Sequence, residues 1–162
     1  MVTIKTGNLL QAEETLIGHQ VNCFGAAGGL AAAVFKKWPQ AGRDYEQLVE
    51  RVQNIYKTSH HQISGIKSTL LGFMQPTGEL PDGHIIANLY GQFHPGADYR
   101  PKALEEALEL LGDFARVTGK SVALPYKISC GICGGDWDEV QQIIERTMVG
   151  VNCVIYKRAQ DK

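Results

Sequence analysis

Two glycine-rich turns, a histidine and two aspartates are the residues of this chain that could do chemistry. Ser129-Cys130-Gly131-Ile132-Cys133-Gly134-Gly135-Asp136 stands between an apolar run, Val122-Ala123-Leu124-Pro125, and a helical pattern that starts at Trp137. Phe24-Gly25-Ala26-Ala27-Gly28-Gly29-Leu30 repeats that arrangement earlier in the chain. Backbone N–H groups at a helix N-terminus are unpaired and lie at the positive end of the helix dipole, so a turn of this kind holds an anion, and glycine lets the backbone come close to a phosphate. Two such turns point to a ligand with more than one phosphate. The plainer alternative is a pair of tight turns that serve close packing. Neither turn carries the dinucleotide or P-loop fingerprint.

His19 lies within an apolar run, three residues before Asn22, either as a core histidine or as a group that faces a ligand from a strand end. His94 and Asp98 flank the loop after Tyr90-Gly91-Gln92, and loops at strand ends are where catalytic groups gather. An imidazole can exchange a proton with a reacting group while a carboxylate orients it or the attacking water. Asp136 reads either as a catalytic acid or as the N-cap of the last helix, with Glu139 three residues on as the reciprocal arm of a capping box. Cys130 and Cys133 have redox-motif or half-zinc-site spacing, but no second ligand pair completes a metal site. Small side chains packed under a turn are expected there, with no metal and no cofactor.

The elements that must position these groups follow from periodicity. Residues 1–6 read as an opening strand, Thr15 to Cys23 as a buried strand ending at the first glycine turn, and Leu30, Val34 and Trp38 recur at helical spacing. Pro39 opens a second helix through Tyr45, Leu48, Val49 and Val52 before residues 57–62 turn polar. Leu70-Leu71-Gly72-Phe73 reads as a strand, residues 76–83 as a turn and His84 to Tyr90 as a strand, together a hairpin. Leu104, Ala107, Leu108, Leu111, Phe114 and Ala115 make the clearest amphipathic helix, which stops near Gly119. A short strand at 122–124, a helix marked by Val140, Ile143, Ile144 and Met148, and a last strand at 151–156 complete the pattern. Strands alternating with helices predict an α/β/α sandwich with a mixed, largely parallel sheet, whose ligands sit at the carboxyl ends of the strands.

A length of 162 residues fits one domain over 1–162, and a formal net charge of -1 offers no basic face for extended nucleic acid. No apolar run approaches the roughly 20 residues of a membrane span, so no membrane partner and a cytoplasmic location are expected. With four cysteines in the chain, reduced thiols are the default.

Gly7-Asn8-Leu9-Leu10, His19-Gln20-Val21-Asn22-Cys23, Gly28-Gly29-Leu30-Ala31, Tyr90-Gly91-Gln92, Ala123-Leu124-Pro125 and Cys130-Gly131-Ile132-Cys133-Gly134-Gly135-Asp136-Trp137, in this order and spacing, resemble a macrodomain. The likeness is greatest to the branch with ADP-ribose 1''-phosphate phosphatases and the terminal ADP-ribose protein glycohydrolase. It implies a three-layer fold that binds ADP-ribose across the strand ends, as a free ligand, a derivative or a group on an ADP-ribosylated protein. Asn8 and Leu9 would border the adenine. Asn22, Gly25, Gly28, Gly29, Leu30 and Ala31 would hold the distal ribose, next to Gln92, and Ser129, Cys130, Gly131, Ile132, Cys133 and Gly134 would close over the diphosphate.

In the glycohydrolase a lysine near the position of Gln92 and an acid near Cys133 do the chemistry, and neither residue type stands here. The phosphatase-like members place a histidine where His19 stands and an acid on the loop around Asp98. That implies hydrolysis of ADP-ribose 1''-phosphate, or of ADP-ribosylated protein, through His19 and Asp98, with Asp136 kept as the third catalytic candidate from its place in the second glycine turn. A non-catalytic reader of ADP-ribose is the alternative.

Overall fold

The computed structural model describes residues 1–59 and 68–161. Its strands are Val2–Thr6 (β1), Leu16–Gln20 (β2), Met74–Pro76 (β3), Ile85–Leu89 (β4), Val122–Pro125 (β5) and Cys153–Lys157 (β6). They form one sheet in the order β1-β6-β5-β2-β4-β3, parallel throughout except for the antiparallel β3–β4 hairpin. Helices run over Gly29–Lys37 (α1), Pro39–Ser59 (α2), Pro101–Thr118 (α3) and Trp137–Thr147 (α4). Among the described residues no helix is long and apolar enough to cross a membrane.

The central strands β2, β4 and β5 are buried on both faces, which is why each reads as a nearly continuous apolar run. Their side chains alternate between two layers. Leu16, Ala87, Leu89, Val122, Leu124 and Ile155 pack with α3 and α4, while Ile17, Ile86, Ala123 and Val154 pack with Val34, Trp38 and Ala41 of the α1–α2 layer. The expected α/β/α sandwich with a largely parallel sheet is what forms.

Besides shifts of one or two residues at other strand ends, two element boundaries differ from the sequence reading. The run 70–73 is no strand: a single 3-10 turn, Ser68–Leu70, leads into a reversal at Gly72, where φ is +86°, and the strand begins at Met74, although the Gly72 N–H donates to Tyr90 O (2.8 Å) and the Tyr90 N–H to Phe73 O (2.9 Å). The hairpin survives because Met74–Pro76 occupies the sheet edge, where the missing N–H of Pro76 costs no ladder bond. β2 ends at Gln20 rather than Cys23, although the Val21 N–H still donates to Leu89 O (2.8 Å) and the Cys23 N–H to Phe93 O (3.0 Å). Of the polar stretch 57–62, residues 60–62 lie outside the described residues.

Helices α3 and α4 cross closely at Gly112. A Cβ at that position would lie 2.3 Å from the Thr147 carbonyl oxygen, a backbone atom that cannot swing away. Gly112→Ala is expected to lose about 1–3 kcal/mol through overpacking, read as a lower urea midpoint; an unchanged midpoint would show that the helices slide apart freely.

Candidate ligand-binding site

The topology reverses between β5 and β2. From β2 the chain passes to α1 on one face of the sheet, and from β5 it passes to α4 on the other face. In an open parallel sheet such a switch leaves a crevice at the carboxyl ends of the two strands. Both glycine turns lie there, residues 24–28 after β2 and residues 126–136 after β5.

Each turn leaves backbone donors open. α1 starts at Gly29 behind Gly28, which provides no side-chain cap, and its first turn holds no acidic residue. Among the described residues no protein group accepts from the N–H groups of Gly29, Leu30 and Ala31. The same holds for Gly131, Ile132 and Cys133, while Gly134 N donates to Gly131 O (3.0 Å) and Gly135 N to Ser129 O (2.9 Å) to fix the shape of the second turn. Its backbone is strained at two non-glycine residues, Lys127 and Ser129, with φ of 57° and 68°. Strain of that kind persists where the surroundings enforce a conformation, and it gathers at ligand clamps. Successive open N–H groups in two turns at the ends of neighbouring strands make a cradle for anions.

Asn22 builds the first turn. Its Oδ1 accepts from the N–H of Phe24 (2.9 Å) and of Ala26 (3.4 Å), and its Nδ2 donates to Ala26 O (2.7 Å). The Tyr45 hydroxyl donates to Asn22 O (2.7 Å) and Oδ1 (2.9 Å) and accepts from the Gly25 N–H (3.1 Å). Asn22 is thus a buried frame for the loop, with its Oδ1 accepting three hydrogen bonds and its Nδ2 donating one. Gly25, Gly28, Gly29, Leu30 and Ala31 are arrayed on that frame, and Leu30 is exposed.

Across the crevice Ser129 and Cys133 are buried, Cys130 is half-buried, Gly131 and Gly134 are exposed, and Ile132 projects into solvent. Gln20, at the last position of β2, ties the site together. Its Nε2 donates to Gln92 Oε1 (3.2 Å) and lies 3.6 Å from Cys133 Sγ, while Gln92 Nε2 donates to Gly96 O (2.7 Å). At the far side Asn8 caps a 3-10 turn by accepting from the Leu10 N–H (3.0 Å), and the Leu9 side chain packs in the core, so only the backbone of Leu9 can border a ligand.

The three residues expected to be catalytic are placed otherwise than their role requires. His19 is completely buried on the α1–α2 face, edge to face with Phe35 at 5.2 Å. Asn88 Nδ2 donates to Ala41 O (3.1 Å) and Gln75 Oε1 (3.2 Å), so its Oδ1 must accept from His19 Nε2–H (2.7 Å), and the Nδ1 lone pair is buried without a partner. Burial pulls the His19 pKa down to about 4, against the hydrogen bond to Asn88. It is a neutral core histidine.

Asp98 is committed within its own loop. Its Oδ2 accepts from the N–H of Phe93 (2.9 Å) and His94 (2.8 Å), and Arg100 Nε donates to it at 3.1 Å. Burial alone would raise its pKa, but the His94 N–H, Arg100 and the Phe93 N–H hold the carboxyl below its ordinary value. Asp136 caps α4, accepting from the Asp138 N–H (3.0 Å). The reciprocal arm of a capping box is missing, because Glu139 accepts from the Tyr99 hydroxyl instead.

Both cysteines of the second turn are free thiols, Cys133 buried and Cys130 half-buried. Burial, followed by Asp136 and Cys133, pushes the Cys130 thiol up to about 11, which leaves it protonated and a poor nucleophile. Sequence reasoning passed over Gln20 and Tyr45 as site residues. The one signal for Gln20 was a polar group at the end of an apolar run, and Tyr45 read only as part of the helical period of α2.

This sheet order, layering and crevice define the macrodomain fold. The macrodomain of Thermus aquaticus DarG matches with a TM-score of 0.77 at 25% identity, over 97% of this chain and 98% of that one. Thermosipho africanus DarTG in complex with ADP-ribose matches with a TM-score of 0.74 at 17% identity, over 99% of this chain and 42% of that one. By sequence, the DNA ADP-ribosyl glycohydrolase of Mycobacterium tuberculosis (strain ATCC 25618 / H37Rv) is 26% identical over 161 residues, 96% of this chain and 42% of the relative. The chain therefore spans less than half the length of that relative. No family model matches the chain.

Proposed function

We propose that this chain binds ADP-ribose in the crevice between β2 and β5 and hydrolyses an ADP-ribose conjugate there. The observation that carries the reading is the pair of turns with open N–H groups after the neighbouring strands β2 and β5, at Gly29-Leu30-Ala31 and at Gly131-Ile132-Cys133. Two adjacent anion cradles suit a diphosphate, and the likeness to DarG macrodomains supports ADP-ribose as the molecule that carries it. The sequence reading favours ADP-ribose 1''-phosphate, then ADP-ribosylated protein, as the conjugate. The name of the mycobacterial relative adds ADP-ribosylated DNA.

The second reading is a reader that binds without turnover. It is favoured by one observation: His19, Asp98 and Asp136 are all committed to structural hydrogen bonds or buried. Gly134→Val tests the binding reading. Gly134 has φ of +87° with open space around it, so valine strains the turn without striking a neighbour. The variant is expected to keep the fold, by circular dichroism, and to lose the thermal shift that ADP-ribose gives the parent protein. An undiminished shift would place the ligand elsewhere.

A further inference from the structure

We infer that His94 is the proton-transfer residue of the conjugate hydrolysis; the inference rests on the ADP-ribose reading above. His94 follows β4 at the same edge of the sheet as the two N–H turns, and it is exposed. Neither of its ring nitrogens has a hydrogen-bond partner among the described residues, in contrast to His19, joined to Asn88, and His84, joined to Ala12 O and Asp82.

The ring is held rather than loose. Its backbone N–H and that of Phe93 are clamped by Asp98 Oδ2 at 2.8 Å and 2.9 Å, Arg100 holds Asp98, and Phe93 O accepts from the Cys23 N–H at 3.0 Å. The imidazole stacks on Phe24, with centroids 5.0 Å apart and planes at 25°, and meets the Phe93 ring at 4.6 Å. Phe24 directly precedes Gly25, so the stack fixes an open imidazole at the root of the first N–H turn. Asp98 is then a positioning residue, and its commitment to backbone donors is what orders this loop.

In the reaction, the oxygen of water bonds to the reacting centre at the distal end of ADP-ribose as the bond to the leaving group breaks. An open ring nitrogen of His94 takes the water proton and returns a proton to the leaving group, so the products are ADP-ribose and the protonated leaving group. A positioned imidazole in this role contributes about 10²–10⁴-fold.

The test compares the parent protein with His94→Gln and Phe24→Leu. Release of ADP-ribose is measured from ADP-ribose 1''-phosphate, from a mono-ADP-ribosylated protein and from a DNA oligonucleotide that carries ADP-ribose on a base. ADP-ribose affinity is measured alongside. The expected result is turnover of at least one probe, a loss of kcat of at least about 100-fold in His94→Gln with affinity within about threefold of the parent, and a smaller kcat loss in Phe24→Leu, which keeps the imidazole but not its stack. Retained turnover in His94→Gln overturns the inference, as does loss of affinity in step with kcat. Binding of ADP-ribose by the parent without turnover of any probe overturns it and leaves the binding reading standing. If the parent fails to bind ADP-ribose, the binding reading itself falls, and the inference with it.

Discussion

Lowering the pH from 7.5 to 4 is expected to cost the folded protein about 3 kcal/mol through His19 alone. The His19 pKa is about 4 in the folded chain against an ordinary histidine value of 6.5, because the ring is wholly buried and a proton on its Nδ1 would find no acceptor. Below pH 6.5 the unfolded chain takes up a proton that the folded chain refuses. The stabilisation is therefore complete above that pH and is lost progressively as the pH falls towards 4, at about 1.4 kcal/mol per pH unit. Urea denaturation of the parent and of His19→Gln at pH 7.5 and pH 4.5 reads the effect. Glutamine keeps an amide donor for Asn88 and does not titrate, so its stability should fall clearly less over that interval. An equal fall in both proteins would assign the acid sensitivity to other groups.

Asn22→Ala is expected to weaken ADP-ribose binding by at least about 100-fold, or about 2.7 kcal/mol. The substitution removes the acceptor of two backbone N–H groups and of the Tyr45 hydroxyl together with the donor to Ala26 O. With Asn22 buried and its partners in the turn partly buried, the orphaned groups also cost about 1–3 kcal/mol of stability. The N–H groups at Gly29-Leu30-Ala31 would then lose their fixed aim. Calorimetric titration and thermal denaturation of the variant measure the two effects separately. Affinity within threefold of the parent would mean that the first turn needs no frame.

The architecture was largely legible because its signals are local. His84 to Tyr90 and residues 122–124 are apolar runs bounded by turn residues, the α3 region keeps a helical period through Ala115, and both glycine turns fall between a strand and a helix. Met74–Pro76 was not legible. A Met-Gln-Pro segment has no strand signature, and it pairs only because β4 offers an edge, while Gly72 turns the more apolar run before it away.

The site divided along the same line. The open N–H groups are properties of the turns themselves, and so were visible. The fate of each side chain was set by partners distant in the chain: Asn88 for His19, sixty-nine residues away, and Tyr99 for Glu139, forty residues away. Strand periodicity puts His19 on the same face as Ile17, but only the packing of Phe35 and α2 shows that this face is closed. His94 stood in view beside Asp98. Its stack on Phe24, seventy residues away by number, is what the sequence did not display.

The most direct measurement is a calorimetric titration of the purified protein with ADP-ribose. One site per chain with a Kd on the order of 1 µM, about -8 kcal/mol, is the predicted result. No heat and no thermal shift with millimolar ADP-ribose would contradict it.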